Sequence, residues 1–250
     1  MKTVRQSAKP SVRRKRSASA GSTGKASRAA DAGDVAKASR TADAGGTPGS
    51  SSPRKARSAA KREAILAAAL DEFSERGFAA ARLDDVARRA GVAKGTIYLY
   101  FRDKESLFQE LIRAMLTPLV GTIEAMGQAD VPLSVLADHI ADLFVREVYE
   151  TRRKDVIRLM IAEGRRFPKL AEFYYREVLA RIIAAVRALL TRAAARGEVA
   201  PGLAQFPQLV AAPGLVAIVW NGLFERFDPL DVRAMMKTHL DLLFASGRAP

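Results

Sequence analysis

The sequence contains no cysteine and only two histidines among its 250 residues. Disulfides, thiolate metal sites and cysteine nucleophiles are therefore excluded, and His139 and His239 do not have the spacing of a local metal-ligand pair. No serine–histidine–aspartate arrangement stands out, and the segment AGVAKGT has too few glycines for a phosphate-binding loop. We therefore expect neither an enzyme nor a bound metal or cofactor.

Long hydrophobic runs are also missing. The longest apolar stretch, residues 209–220, is shorter than the roughly 20 residues that a membrane-spanning helix needs. Residues 1–30 contain no uninterrupted apolar segment of the kind that a secretory signal requires. The sequence thus predicts a cytoplasmic protein that does not enter a membrane.

Strand patterns with alternating polarity are absent from the sequence, so we expect an all-α fold. Apolar residues three and four positions apart predict helices over residues 61–76, 103–121, 133–150, 154–165, 170–196, 208–227 and 229–245. Pro118 should end or kink the helix that starts at Asp103. A further break is expected between residues 127 and 132.

Acidic residues are scarce near the N-terminus. Residues 1–60 hold 14 Lys or Arg and 3 Asp or Glu, a net charge of +11, whereas the whole chain carries +14. This segment is rich in Ala, Ser and Gly and repeats KASRAADAG as KASRTADAG, so it cannot bury enough apolar surface to offset the entropy of ordering. We expect residues 1–57 to form a disordered basic tail.

Two clusters in this tail, residues 13–16 and 54–57, are dominated by Lys and Arg. One interpretation is that they contact DNA phosphates without sequence preference, the second cluster as an arm directly before the first helix. The alternatives are a solvated leader with no role and an N-terminus placed too far upstream. A mitochondrial transit peptide is disfavoured because the segment has no amphipathic apolar face.

Residues 83–101, LDDVARRAGVAKGTIYLYF, form the most informative pattern in the chain. Two short predicted helices flank a turn at Gly91, and Asp84 and Asp85 stand at the start of the first, where carboxylates suit the helix dipole. Ile97 supplies an apolar anchor that packs back onto the preceding helices. This order is typical of a helix-turn-helix, whose second helix enters the major groove of DNA.

The surrounding sequence, residues 61–108, resembles the DNA-binding domain of TetR-family transcriptional regulators. Phe73, Gly77 and Phe78 precede the motif, and the segment DKE at residues 103–105 starts the next helix. The resemblance implies an N-terminal three-helix helix-turn-helix domain, followed by a larger C-terminal helical domain for ligand binding and dimerisation.

The outward residues of the second helix have the chemistry of a DNA reader. Lys94 suits a guanine edge or a phosphate, and Thr96 suits a phosphate or a thymine methyl. The resemblance implies DNA contacts at Lys94, Gly95, Thr96, Tyr98 and Lys104. The family usually has threonine where this chain has Arg82, which cannot cap the helix in the same way but offers a charged fork to a phosphate. Tyr100 is open to two interpretations, a DNA contact or a core aromatic.

The resemblance implies a regulator of transcription that binds an operator in double-stranded DNA as a ligand-responsive dimeric repressor of a palindromic site. Activation is the alternative mode, and a nonspecific nucleic-acid or nucleoid protein is the alternative class, because the tail is so basic. The resemblance and the basic composition together divide the chain into three parts: a tail at residues 1–57, a DNA-binding domain at residues 58–105, and an effector-binding and dimerisation domain at residues 106–250.

The C-terminal domain is expected, by resemblance, to hold a small-molecule effector of lipophilic character. Side chains that suit such a cavity are Phe144, Met160, Tyr174, Trp220 and Phe224, with His139, Arg158 and Glu163 available to orient a polar group. Ordinary structural roles explain each of them at least as well. The last two helices are too apolar for surface helices, and the resemblance implies that they pair with their copies in a homodimer.

Overall fold

The computed structural model describes residues 53–245, and these residues form an all-α fold with no strand. The ten α-helices of this part of the chain are α1 (Pro53–Ala80), α2 (Leu83–Arg89), α3 (Lys94–Tyr100), α4 (Lys104–Gln128), α5 (Leu133–Leu143), α6 (Arg153–Glu163), α7 (Pro168–Tyr174), α8 (Ala180–Ala195), α9 (Gln208–Phe224) and α10 (Val232–Ala245). Two π-helical stretches extend them: Phe144–Tyr149 continues α5, and Tyr175–Leu179 joins α7 to α8. None of these helices is long and apolar enough to cross a membrane.

Helix α1 begins earlier than the sequence predicted. Pro53 is its first residue, so the last five residues assigned to a disordered tail are helical, while residues 1–52 lie outside the described part of the chain. The error arose because these turns carry no buried apolar residue; the first fully buried side chain of α1 is Ile65. The helix then kinks at Gly77, whose φ of 73° lies in the region that favours glycine.

The first core is built around a group of phenylalanines. The ring of Phe78 lies 5.3 Å from Phe73, 5.5 Å from Phe108 and 4.9 Å from Phe167, measured between centroids. Phe167 immediately precedes α7, whereas the other three belong to α1 and α4. The core that α1 to α3 share is therefore continuous with the core beneath α6 and α7.

Helix α4 spans both halves of the described chain. Asp103 caps it, accepting a hydrogen bond from the Ser106 backbone N at 2.7 Å while Ser106 Oγ accepts one from the Asp103 backbone N. Pro118 does not end the helix, the first of the two outcomes predicted for it, because α4 continues to Gln128. Proline removes one helical hydrogen bond, and Pro118 and Ala114, whose carbonyl loses that bond, are both exposed, so solvent can satisfy the carbonyl.

The second core lies among α5, α8, α9 and α10 and is wholly apolar. Helices α4 and α8 approach closely at Gly127, where an added Cβ would lie 3.1 Å from both the Cβ and the carbonyl oxygen of Ala185. Helix α4 ends one residue later, inside the break predicted from sequence. The close contact between these helices brings the apolar side chains of α4 against those of α8.

Gly77 provides a test of how tightly α1 is held against α6. A Cβ at Gly77 would lie 2.7 Å from Glu163 Oε1, whereas one at Gly197, which has nearly the same φ of 75°, would meet nothing within 4 Å. We expect Gly197→Ala to lower the free energy of unfolding by about 1–2 kcal/mol through backbone strain alone. Gly77→Ala should cost more, because the half-buried Glu163 must move.

Urea unfolding of both variants, repeated in a Glu163→Ala background, measures this difference. Truncating Glu163 should remove the part of the extra cost of Gly77→Ala that the carboxylate causes, while the strain from the Gly77 ψ of 162°, a region essentially confined to glycine, should remain. Equal destabilisation by the two glycine variants in the wild-type background would show that the carboxylate does not constrain the kink.

Candidate nucleic-acid interface and apolar cavity

The helix-turn-helix forms as the sequence predicted. Gly91 has a φ of 66°, and the Val92 backbone N donates to the Ala87 carbonyl at 3.0 Å, which closes the turn. Val86 and Ile97 are fully buried and join α2 to α3. The buried side of α3 thereby fixes which residues face outward.

The outward face of α3 contains the predicted reading residues and one residue that the sequence argument overlooked. Lys94, Gly95 and Tyr98 are exposed and Thr96 is half-buried. Leu99 was overlooked because an apolar residue beside Ile97 suggests core, yet 84% of its surface is exposed. The helix therefore presents a mixed polar and apolar face to solvent.

An acidic side chain holds the cation at the start of α3. Lys94 Nζ lies 2.7 Å from Asp84 Oδ2, and the Tyr98 hydroxyl donates to the other oxygen of the same carboxylate at 3.5 Å. The hydrogen bond to Asp84 raises the pKa of Lys94, which stays charged throughout the physiological range. Asp84 thus positions both side chains at the exposed start of α3.

Three of the predicted DNA-binding residues surround one open depression at the ends of α1, α2 and α3. Arg82, Tyr98 and Lys104 line this depression of about 700 Å³ together with Asp84. Arg82 is exposed, precedes α2 as its N-cap residue and makes no side-chain cap hydrogen bond, as expected for arginine at that position.

Lys104 has a structural role that the sequence argument did not foresee. Its Nζ donates to the carbonyls of Phe78 at 2.8 Å and Ala79 at 2.7 Å, and it lies 4.8 Å from the centroid of the Phe78 ring. It also donates to the Ala81 carbonyl at 3.5 Å, so all three N–H donors of the ammonium group have partners inside the protein. Lys104 thereby ties the start of α4 to the end of α1.

Tyr100 has features of both predicted roles, a core aromatic and a DNA contact. Its ring is half-buried against the first core, and its hydroxyl is 3.0 Å from Ser58 Oγ in the exposed N-terminal part of α1. This contact connects the last residue of α3 to the turns of α1 that precede the core.

An apolar cavity of about 120 Å³ lies within the second core. Its lining is entirely apolar and comes from α4, α5 with its π-helical continuation, α8, α9 and α10: Leu119, Ile123, Met126, Gly127, Ile140, Leu143, Phe144, Val148, Ile182, Val186, Leu189, Leu190, Val210, Ala211, Met236 and Phe244. Gly214 of α9 gives the Phe144 ring its space, because an added Cβ would lie 2.5 Å from that ring.

Of the eight residues predicted to meet an effector, only Phe144 lines this cavity. His139 lines an adjoining open pocket. The other six make contacts within the protein or lie at its surface. Arg158 donates to the Ile218 carbonyl at 3.4 Å, and Trp220 Nε1 donates to the Asp228 carbonyl at 2.7 Å. Met160 is buried in the first core, Glu163 lies against Gly77, and burial raises the pKa of Tyr174 to about 12. Phe224 is partly exposed beside the Trp220 ring.

The final helices leave an apolar face uncovered. On α9, the exposed large side chains are Leu209, Leu215, Val216, Val219, Leu223 and Phe224. By contrast, Val232, Met236 and Leu240 of α10 are buried in the chain's own second core. The apolar character of α10 is thus explained largely within one chain, whereas that of α9 is not.

Comparison with known proteins identifies the family. Residues 65–111 match the family model "Bacterial regulatory proteins, tetR family", and residues 128–238 match "Tetracyclin repressor-like, C-terminal domain". The repressor BepR of Brucella suis is 31% identical over 175 residues, which cover 68% of this chain and 82% of BepR. The chain belongs to the TetR family.

Other TetR-family proteins are similar over part of the chain or in fold alone. The transcriptional regulator RutR of Escherichia coli is 30% identical over 131 residues, which cover 52% of this chain and 54% of RutR, so the chain spans about half the length of that relative. SmeT, the repressor of the multidrug efflux pump SmeDEF of Stenotrophomonas maltophilia, has the same fold, with a TM-score of 0.58 and 21% identity, covering 72% of this chain and 87% of SmeT.

The two lysines of this TetR-family reader should respond differently to truncation. Lys104→Ala should lower the free energy of unfolding by about 1–3 kcal/mol, because charged hydrogen bonds to three carbonyls are lost. Lys94→Ala should change it by less than about 0.5 kcal/mol, since Lys94 and its ion pair are exposed. Chemical denaturation without DNA makes the measurement, and a Lys104→Ala variant as stable as wild type would contradict the structural role.

Proposed function

We propose that this TetR-family protein is a dimeric, ligand-responsive repressor that binds a palindromic operator. The observation that carries the proposal is the exposed face of α3. Its opposite side is anchored by the buried Ile97, which packs in the same core as Val86 of α2, and the depression around Arg82 and Lys104 borders the exposed face. The names of two relatives agree with repression, since BepR and SmeT are both called repressors.

In this proposal α3 reads base edges in the major groove. Lys94 and Thr96 make base contacts, while Arg82, Tyr98 and Lys104 contact phosphates and fix the register. Gly95 supports this assignment, because an added Cβ would meet no atom within 4 Å. Glycine inside a helix costs stability and nothing within the chain requires it here, so close approach to DNA accounts for it.

The uncovered face of α9 is where we place the dimer. Val216, Val219 and Leu223 follow one another at helical spacing of three and four, and all are more than 40% exposed. A contiguous apolar face of this kind on a helix is typical of an interface. A two-fold axis across α9 presents two copies of α3 to one face of the duplex, which suits a palindrome with half-sites about one helical turn apart.

The apolar cavity is the proposed effector site. Its lining of apolar atoms favours a lipophilic ligand, and a complex of SmeT with triclosan has been solved. Helix α4 supplies Leu119 and Ile123 to the cavity and Leu107 and Phe108 to the core of the reader. A ligand that favours one position of α4 therefore changes the separation of the two readers, which is the differential affinity that a switch needs.

The N-terminal turns of α1 extend the DNA-binding surface. At 3.6 residues per turn, Arg54, Arg57, Ser58 and Lys61 share the face of α1 that Ile65 turns toward the core. These four residues precede the core and are exposed. The turns of α1 that carry them add about 13 Å to the length of the helix, at about 1.5 Å per residue. Among residues 53–245 no acidic side chain pairs with their three cations, and the Ser58–Tyr100 contact holds them beside α3.

Selection of bound fragments from a random duplex library at physiological salt tests the proposed function. The full chain should recover a palindrome with half-sites about one helical turn apart. Val219→Glu with Leu223→Glu should abolish both the dimer in sedimentation and the palindrome, whereas Ile161→Glu, at an exposed apolar site on α6, should change neither. Weak, strongly salt-dependent binding without a motif would instead identify a nonspecific nucleic-acid protein.

The α1 extension makes a separate prediction about salt dependence. Arg54→Ala with Arg57→Ala should lower the slope of log affinity against log salt by about 2, since each lost phosphate contact removes about 0.9. The selected base sequence should remain the same. The matched control is Lys169→Ala with Arg187→Ala, two exposed cations outside the reader. An unchanged slope with an intact palindrome would show that the extension does not touch DNA.

A further inference from the structure

A second pocket adjoins the apolar cavity and differs from it in chemistry. This open pocket has a volume of about 440 Å³ and contains the side chains of His139, Arg146 and Glu147. Met126 and Leu143 line both spaces, so they form the partition between them. A ligand that passed this partition would have one end among apolar side chains and the other among charged ones.

Arg146 is the cation of this pocket whose guanidinium makes no direct contact with a carboxylate, although the charge of Asp142 lies nearby. Among residues 53–245 its guanidinium forms no ion pair within 4 Å and no hydrogen bond. The acidic groups around it are engaged elsewhere: Glu147 pairs with Arg153 at 2.7 Å, Asp142 with Arg233 at 2.7 Å and Asp138 with Lys237 at 2.9 Å. The hydrogen bond from Arg233 is the main cause that lowers the pKa of Asp142, and the nearby charges of Arg146 and His139 lower it further, so this carboxylate is an anion bonded to Arg233 and only near Arg146.

His139 adds a second polar group at the same end. Its Nδ1 donates to the Val135 carbonyl at 2.8 Å, which leaves Nε2 available to a ligand. The pocket therefore offers a fixed positive charge and an imidazole nitrogen, with Glu147 already neutralised by Arg153. A guanidinium is well suited to binding a carboxylate through two parallel hydrogen bonds.

We propose that the effector is an amphiphilic organic acid, whose apolar body fills the apolar cavity and whose carboxylate binds Arg146. The inference rests on the proposed effector site and adds the class of its ligand. A cavity of about 120 Å³ is close in size to engineered apolar cavities of about 150 Å³ that bind benzene, so the body is of the size of one aromatic ring. A flexible chain links the two ends past Met126, whose unbranched side chain adapts readily to a ligand.

Calorimetric titration of the full chain with phenylalkanoates, from phenylacetate to 6-phenylhexanoate, tests this assignment. Each acid is compared with the alcohol and the amine of the same length. The best acid should bind more tightly than its alcohol, and the amine should bind most weakly. Arg146→Ala should weaken the acid by about tenfold, the value of one charge-assisted hydrogen bond, and leave the alcohol unchanged. Arg165→Ala, at an exposed arginine in the turn after α6, is the matched control.

The outcomes separate the ligand class from the effector site itself. Equal binding of acid and alcohol, unaffected by Arg146→Ala, would overturn the proposed ligand class while the apolar site stands. Equal weakening by Arg146→Ala and Arg165→Ala would also overturn it, because it would show a general effect of net charge. Failure of every probe to bind wild type would remove the cavity's proposed role, and the inference with it.

Discussion

The packing of Phe78 is the constraint on which the arrangement of this protein depends. Its ring contacts Phe73 and Phe108 on one side and Phe167 on the other, so the three-helix reader does not close its core alone. The Lys104 ammonium lies over the Phe78 ring and donates a hydrogen bond to the Phe78 carbonyl. Since interiors are packed as densely as organic crystals, α1 cannot shift relative to the start of α7 without opening this cluster. The reader therefore moves with its neighbours or not at all.

This constraint decides how a ligand signal can travel. Helix α4 is continuous through Pro118 and contributes to both cores, so it acts as a rigid connection and not as a hinge at the proline. The second connection is Glu163 of α6, whose Oε1 faces Gly77 and whose buried Oε2 forms no hydrogen bond among the described residues and only a long ion pair with Arg166, at 3.7 Å. A buried carboxylate oxygen that lacks a hydrogen bond costs free energy. A state in which α6 withdraws from α1 would relieve that cost, which makes this contact a natural place for two alternative packings.

The reader could be predicted from sequence because its signals are local, and the cavity could not because its lining is not. Gly91, the Asp103 cap and the buried Ile97 each report on residues within one or two turns. The cavity is lined by a few apolar residues from each of five helices. In the sequence, Ile123 and Val186 cannot be distinguished from ordinary core residues. The polar effector candidates Arg158 and Trp220 do not line the cavity, because their side chains donate hydrogen bonds to backbone carbonyls within the chain. Lys104 was assigned to phosphate alone because its carbonyl partners lie about 25 residues away.

The distribution of charge separates attraction from recognition. Within the reader most cations are matched internally: Lys94 by Asp84, Arg88 by Asp85, and Arg89 by Glu75. Long-range attraction to a phosphate backbone depends on unmatched charge, and residues 1–60 hold 14 cations against 3 acids. In the function proposed above, attraction to the duplex falls to the unmatched N-terminal cations and recognition of a sequence falls to the exposed face of α3. On that proposal affinity and specificity belong to different segments, so each can vary without loss of the other.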